Sequence, residues 1–138
     1  MKKVYVEVEG KITADGSTDC VNYSTEGSLY KKSGKYYIHY TEGSLTVGKD
    51  CRTTVKVNPE GVVTLMRSGE VNTQMTFERG KCHISCYETV GGNITVSVTT
   101  GDLLIDMNDN GGRVEMDYRL SINNAANSRN HVSIRVRE

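Results

Sequence analysis

The chain of 138 residues is the length of one domain, and its 17 basic and 17 acidic residues set an isoelectric point near 6.8. With no net charge and no basic run longer than Lys31-Lys32, neither a nucleic acid nor an anionic membrane is an expected partner. Tyrosine is the compositional outlier, with eight against one Phe and no Trp.

In chain order, Met1-Lys2-Lys3 leads straight into Val4, Val6, Val8 and Ile12, interleaved with Tyr5, Glu7 and Glu9. That alternation is the mark of a half-buried strand and not of a secretory apolar region, so a cytosolic protein is expected. Asp15-Gly16 and Ser33-Gly34 read as tight hairpin turns, and Tyr36, Tyr37 and Tyr40 crowd the strand that follows. Glycines at 43–48, then Asn58-Pro59-Glu60-Gly61, Ser68-Gly69 and Arg79-Gly80 punctuate the middle of the chain. Between them Val71, Met75 and Phe77 share one face, opposite Asn72, Gln74, Thr76 and Glu78. Further on, Ile94, Val96 and Val98 alternate before a turn expected at Gly101-Asp102. A second turn at Asn110-Gly111-Gly112 precedes Val114, Met116, Tyr118, Leu120 and Ile122. A polar loop over 123–130 is expected before the last set, Val132, Ile134 and Val136. No window of ten or more residues carries a convincing helical period.

Short hairpins force antiparallel neighbours, and a meander this long removes its sticky edges by curling closed. The reading is therefore all-β: one antiparallel up-and-down β-barrel of about eight to ten strands over residues 1–138, calycin- or lipocalin-like, with its well-patterned first and last strands paired. Charges on those two strands, Glu7, Glu9, Lys11, Arg135 and Arg137, belong outside.

From about Lys35 to Val136 the chain resembles the YwiB-like bacterial family, a domain-of-unknown-function group with a calycin-like barrel. The residues that carry the resemblance are Leu65-Met66-Arg67-Ser68-Gly69-Glu70-Val71, Phe77, Gly80, Tyr87-Glu88-Thr89 before Gly91-Gly92, Thr99-Thr100, and Gly112 through Tyr118. The resemblance implies a lipocalin-like fold in a cytosolic protein and brings no catalytic residues with it.

Asp106-Met107-Asn108-Asp109-Asn110-Gly111 fits the first half of a calcium loop, with Asp117 at the twelfth position. Strand alternation on both sides, Arg113 at position eight and Asp in place of Glu at position twelve argue for a hairpin instead, and no metal site is assigned. Cys20, Cys51, Cys82 and Cys86 are expected as reduced thiols packed like small hydrophobes, since Cys82 and Cys86 lie about 13 Å apart along a strand and cannot share a zinc. His39, His83 and His131 fall on three strands, out of phase with their apolar neighbours, and are expected to face solvent. The tyrosines suit a core wall, with a barrel mouth as the second reading. Arg67 either shares the inner phase of Val63 and Leu65, where a lone guanidinium would demand an anion, or sits beyond the strand's end; alternation is ambiguous here, because Val62, Thr64 and Met66 could equally be the inner face.

No nucleophile elbow, phosphate-cradling loop or metal-protease motif is present, so an enzyme is not expected and no cofactor is implied. The expected function is the binding of one small, largely apolar ligand inside the barrel, with Arg67, Met75, Phe77, Met116 and Tyr118 as the interior candidates. The alternative is a solid-core scaffold or protein-interaction module, as monomer or homodimer. An empty interior favours the first and a filled one the second.

Overall fold

The structure is a computed structural model that describes residues 2–41, 52–68, 73–89, 91–124 and 126–138. Ten strands run in chain order: β1 (Lys2–Ala14), β2 (Ser17–Lys32), β3 (Lys35–Thr41), β4 (Arg52–Asn58), β5 (Val62–Ser68), β6 (Thr73–Glu78), β7 (Cys82–Thr89), β8 (Gly92–Asn108), β9 (Gly111–Ile122) and β10 (Ala126–Arg137). All ladders are antiparallel in one sheet ordered β6-β5-β4-β3-β2-β1-β10-β9-β8-β7, and no helix occurs among the described residues. The first and last strands pair as expected, Val6 opposite Val136 and Val8 opposite Ile134. The order is that of an up-and-down barrel, consistent with the calycin-like expectation.

Closure is completed at the seam between β6 and β7, the two ends of the sheet order. There side chains substitute for a ladder. The Ser85 hydroxyl donates to the Gln74 carbonyl at 3.1 Å, the Tyr87 hydroxyl donates to the same oxygen, and the Gln74 N–H donates to the Tyr87 oxygen at 3.1 Å. Farther along, Gly80 N–H donates to Thr100 O at 2.9 Å and Thr100 N–H to Lys81 O at 3.1 Å, which stitches the β6–β7 turn onto β8.

Turn chemistry explains the hairpins. Asp15 and Gly16 have φ of 52° and 78°, and Ser33 and Gly34 have 55° and 78°, the pair of left-handed conformations that matches strand twist in a two-residue hairpin. Gly27 lies inside β2, where a Cβ would stand 2.6 Å from the His39 carbonyl, so only glycine lets β2 approach β3 this closely.

The core is the inward phase of each strand: Val4, Val6 and Val8 of β1, Ile38 and Tyr40 of β3, Val55 and Val57 of β4, Val63 of β5, Phe77 of β6, Val98 of β8, Val114 and Met116 of β9, and Ile134 and Val136 of β10. Several expectations change. Gly101-Asp102 is a bulge within the seventeen-residue β8 and not a turn; the ladder to β9 slips between Thr100 and Asp102 and resumes. The expected polar loop over 123–130 is mostly strand, because β10 pairs with β9 from Ala126 onward. Ile12 shares the core phase but is 42% exposed, since the β1–β2 hairpin outruns the core. Cys20, Cys82 and Cys86 are free and exposed rather than packed, lying on the outward phase of their strands. Cys51, Val71, Gly69 and the glycines at 43–48 lie outside the described residues.

Candidate binding site at the polar end of the barrel

An up-and-down barrel places alternate turns at opposite ends, and the two ends differ here. At the end that holds both termini, the β8–β9 hairpin is tied across the opening. Lys2 Nζ donates to Asp109 O at 3.0 Å and to Asn110 Oδ1 at 3.2 Å, and pairs with Glu138 at 2.6 Å. The Tyr36 hydroxyl donates to Asp109 Oδ1 at 3.0 Å, beside Lys31 at 3.8 Å. The calcium-like sequence thus forms a hairpin whose Asp109 faces a lysine and a tyrosine.

At the other end, marked by the Asp15-Gly16 and Asn123-Asn124 turns, the inner phase turns polar. Pairing aligns Ile12, Asn130, Tyr118 and Thr100 across β1, β10, β9 and β8. On the facing wall it aligns Tyr40, Thr53, Arg67 and Thr73 across β3 to β6. Thr53 is 0% and Thr100 1% exposed, and neither Oγ1 has a hydrogen-bond partner. A third buried hydroxyl without a partner, Ser133, lies on the outward phase between Glu9 and Glu115. Asn130 is 6% exposed and its amide donates to Ser128 Oγ at 3.0 Å.

Tyr118 stands between these groups. Its ring meets Phe77 edge-on at 4.7 Å between centroids, and burial pushes its hydroxyl above the ordinary value of 10.0, against the opposing pull of the Arg67 charge. Arg67 takes the inner phase of Val63 and Leu65, resolving the ambiguity of that strand, but its side chain is exposed at the barrel's end. The other interior candidates divide by depth. Phe77 and Met116 are buried, Met75 and Tyr118 half-buried. The structure brings Phe77, Tyr118 and Arg67 to one region; Met116 packs in the adjoining ring between Leu103 and Val132, and Met75 lies beside Leu65. Thr53, Thr100 and Asn130 escaped the sequence reading. Period two continued from Val55 and Val57 back to Thr53, and from Val96 and Val98 on to Thr100, would have found the threonines.

Ile12 and Val21, each 42% exposed, and Ile122, 39% exposed, put apolar side chains on the inner phase at this end. The histidines lie apart from it. His39 Nδ1 is 2.8 Å from Thr54 Oγ1, His83 Nε2 3.2 Å from Glu78 and His131 Nδ1 2.6 Å from Asp117. All three are partly covered rather than fully solvent-facing, and His83 shares the phase of the inward Val98. Of the tyrosines, Tyr36 and Tyr40 are core wall, whereas Tyr30 and Tyr37 stack outside at 4.9 Å. Chemically, the described residues of this end offer hydrogen-bonding groups of hydroxyl, amide and guanidinium type above an apolar floor.

A ten-stranded antiparallel barrel of this order, closed by side chains at one seam, defines a small β-barrel class, and the comparisons name it. The chain belongs to the domain-of-unknown-function family DUF1934, whose model matches residues 6–134. It is 30% identical over 119 residues to the uncharacterized beta-barrel protein YwiB of Bacillus subtilis (strain 168), covering 86% of this chain and 82% of that protein. The crystal structure of the ywiB protein from Bacillus subtilis superposes with a TM-score of 0.85 at 26% identity, over 99% of this chain and 91% of that one.

Proposed function

We propose that the chain is a binding barrel that lodges one small, largely apolar ligand at its polar end, with the ligand's polar group meeting Thr53, Thr100, Tyr118 and Arg67. One observation carries the reading: two threonine hydroxyls, 0% and 1% exposed, point into the interior without a partner. A buried hydroxyl left unsatisfied costs roughly 1–3 kcal/mol, which a ligand acceptor would recover. Arg67 answers the same need for an anionic or strongly polar end, and Met75, Phe77 and Met116 supply the apolar wall. The reading is of a binder and not an enzyme, in the reducing cytosol, where three exposed free thiols, Cys20, Cys82 and Cys86, would persist as such.

A second reading, the solid scaffold, is favoured by the terminal half, where Tyr36, Ile38, Val55, Val57, Val63 and Phe77 pack with 0–8% exposure. Native mass spectrometry of the protein purified gently from its host's cytosol, without refolding or detergent, separates the two. A discrete added mass, lost on denaturation and absent from a Thr53→Val/Thr100→Val variant, is the expected result. A bare chain, as monomer or homodimer, would hand the case to the scaffold.

A further inference from the structure

The β9–β10 ladder places arginine directly opposite arginine twice, at Arg113/Arg135 and at Arg119/Arg129. Like charges in this position, with Cβ atoms about 4.5–5.5 Å apart, destabilise a sheet unless something answers them. The first pair is flanked in its own row by carboxylates, Glu7 of β1 beyond Arg135 and Asp106 of β8 beyond Arg113, although Glu7 itself pairs with Arg137 at 3.5 Å. The second pair is flanked at the same two positions by Thr13 and Thr99. Lys11 adds a third cation one row away, next to His131. That neighbouring row holds two carboxylates, Asp117, engaged by His131 at 2.6 Å, and Asp102, engaged by Arg79 at 3.5 Å. Among the described residues, ion pairs form at Lys2, Lys3, Lys31, Arg79 and Arg137, and none forms at Lys11, Arg113, Arg119, Arg129 or Arg135, so the second pair differs from the first in having no carboxylate beside it in its row.

These cations line a concavity. Lys11, Thr13, Thr99, Arg119, Arg129 and His131, together with the Asp117 carboxylate that His131 engages, border an outer-wall cleft of about 450 Å³, within the range of about 300–1,000 Å³ typical of small-molecule sites. Gly101, at the β8 bulge, contributes no side chain to its border.

We propose that this cleft binds a small molecule bearing linked phosphates, with Arg119 and Arg129 each forking onto phosphate oxygens, Lys11 as the third countercharge, and the Thr13 and Thr99 hydroxyls as added donors. Guanidinium matches phosphate in a planar two-point geometry, and two guanidiniums held side by side match two neighbouring phosphates better than one. The site lies on the outer face and does not depend on the interior reading above.

Inorganic pyrophosphate titrated into the full chain, read by calorimetry and by thermal melting, tests the proposal. Pyrophosphate is expected to bind and to raise the melting temperature, with affinity about tenfold or more weaker in Arg119→Ala and in Arg129→Ala. Without ligand, both variants should melt at or above the wild-type temperature, since each relieves a like-charge contact; this separates lost binding from lost folding. Arg113→Ala removes the same charge from the carboxylate-flanked pair, outside the cleft, and should leave pyrophosphate affinity within about twofold of wild type. No pyrophosphate response in the wild-type protein overturns the proposal. So does a response that survives both variants, or one that Arg113→Ala weakens as much as Arg119→Ala does.

Discussion

The two ends of the barrel are made from the same strands, yet they spend their inner-phase positions differently. At the terminal end the inward Val57, Val63 and Val136 are apolar and buried, and an external clasp of Lys2, Lys31, Tyr36 and Asp109 draws the β8–β9 hairpin over the opening. At the opposite end Thr53, Thr100 and Asn130 occupy positions that valine would fill with better packing. Sheet geometry alone does not require this, because Val and Thr are close in shape and both suit strands. The contrast teaches that one end is built for stability and that the other gives up stability for hydrogen-bonding capacity. Substitutions at the two ends should therefore move stability in opposite directions.

The largest effect is expected at Phe77→Ala. Phe77 is 1% exposed and braces Tyr118, so truncation should lower unfolding free energy by about 3–5 kcal/mol in urea titrations. A loss under about 1 kcal/mol would mean that the closed half is loosely packed and would erase the contrast. Next come Thr53→Val and Thr100→Val, which delete the unsatisfied hydroxyls at nearly constant volume. Each should raise the stability of the ligand-free protein, by an amount up to about 1–3 kcal/mol. Destabilisation by both would show that the hydroxyls are satisfied in solution and would remove the main support for the interior site. Smaller again is Tyr36→Phe, which unties the clasp by removing one donor to Asp109 and should cost about 0.5–1.5 kcal/mol.

Much of this architecture was legible, and the failures share a cause. Alternation in β1, β9 and β10 identified Val4, Val6, Val8, Val114, Met116, Ile134 and Val136 as inward because each strand keeps one face in the core along most of its length. Turn chemistry located the hairpins at Asp15-Gly16 and Ser33-Gly34 through a local demand for positive φ. Gly101-Asp102 misled because glycine in a strand signals a bulge as readily as a turn, and the distinction depends on the partner strand. Asn127 to Asn130 read as a loop because β10 there pairs with a part of β9 near the barrel's end, where the core no longer imposes apolar residues. Arg67 was ambiguous because Val62 and Met66 are as apolar as Val63 and Leu65. Cys20, Cys82 and Cys86 sit on outward phases that composition does not reveal. Of the candidate site, Phe77, Met116 and Tyr118 were readable as interior. The arginine pairs required a register, which follows from counting outward along β9 and β10 only once the turn between them is placed.

The subtlest consequence of the polar end is its response to alkali. Burial holds the Tyr118 hydroxyl above the ordinary 10.0 in the folded chain, so between about pH 10 and the folded value the native state keeps a proton that the unfolded state has lost. That proton's contribution to stability is complete below about pH 10 and declines as pH rises through the folded value. Tyr118→Phe should flatten this decline relative to the other tyrosines, read as the difference between wild-type and variant melting temperatures across an alkaline series. Arg67 opposes the shift, so Arg67→Gln should move the Tyr118 titration still higher, followed as tyrosinate absorbance against the Tyr118→Phe baseline. If Arg67→Gln leaves that titration in place, the guanidinium does not act on the barrel interior in solution. The polar end of any lodged ligand would then have to be met by the threonines and Tyr118 alone.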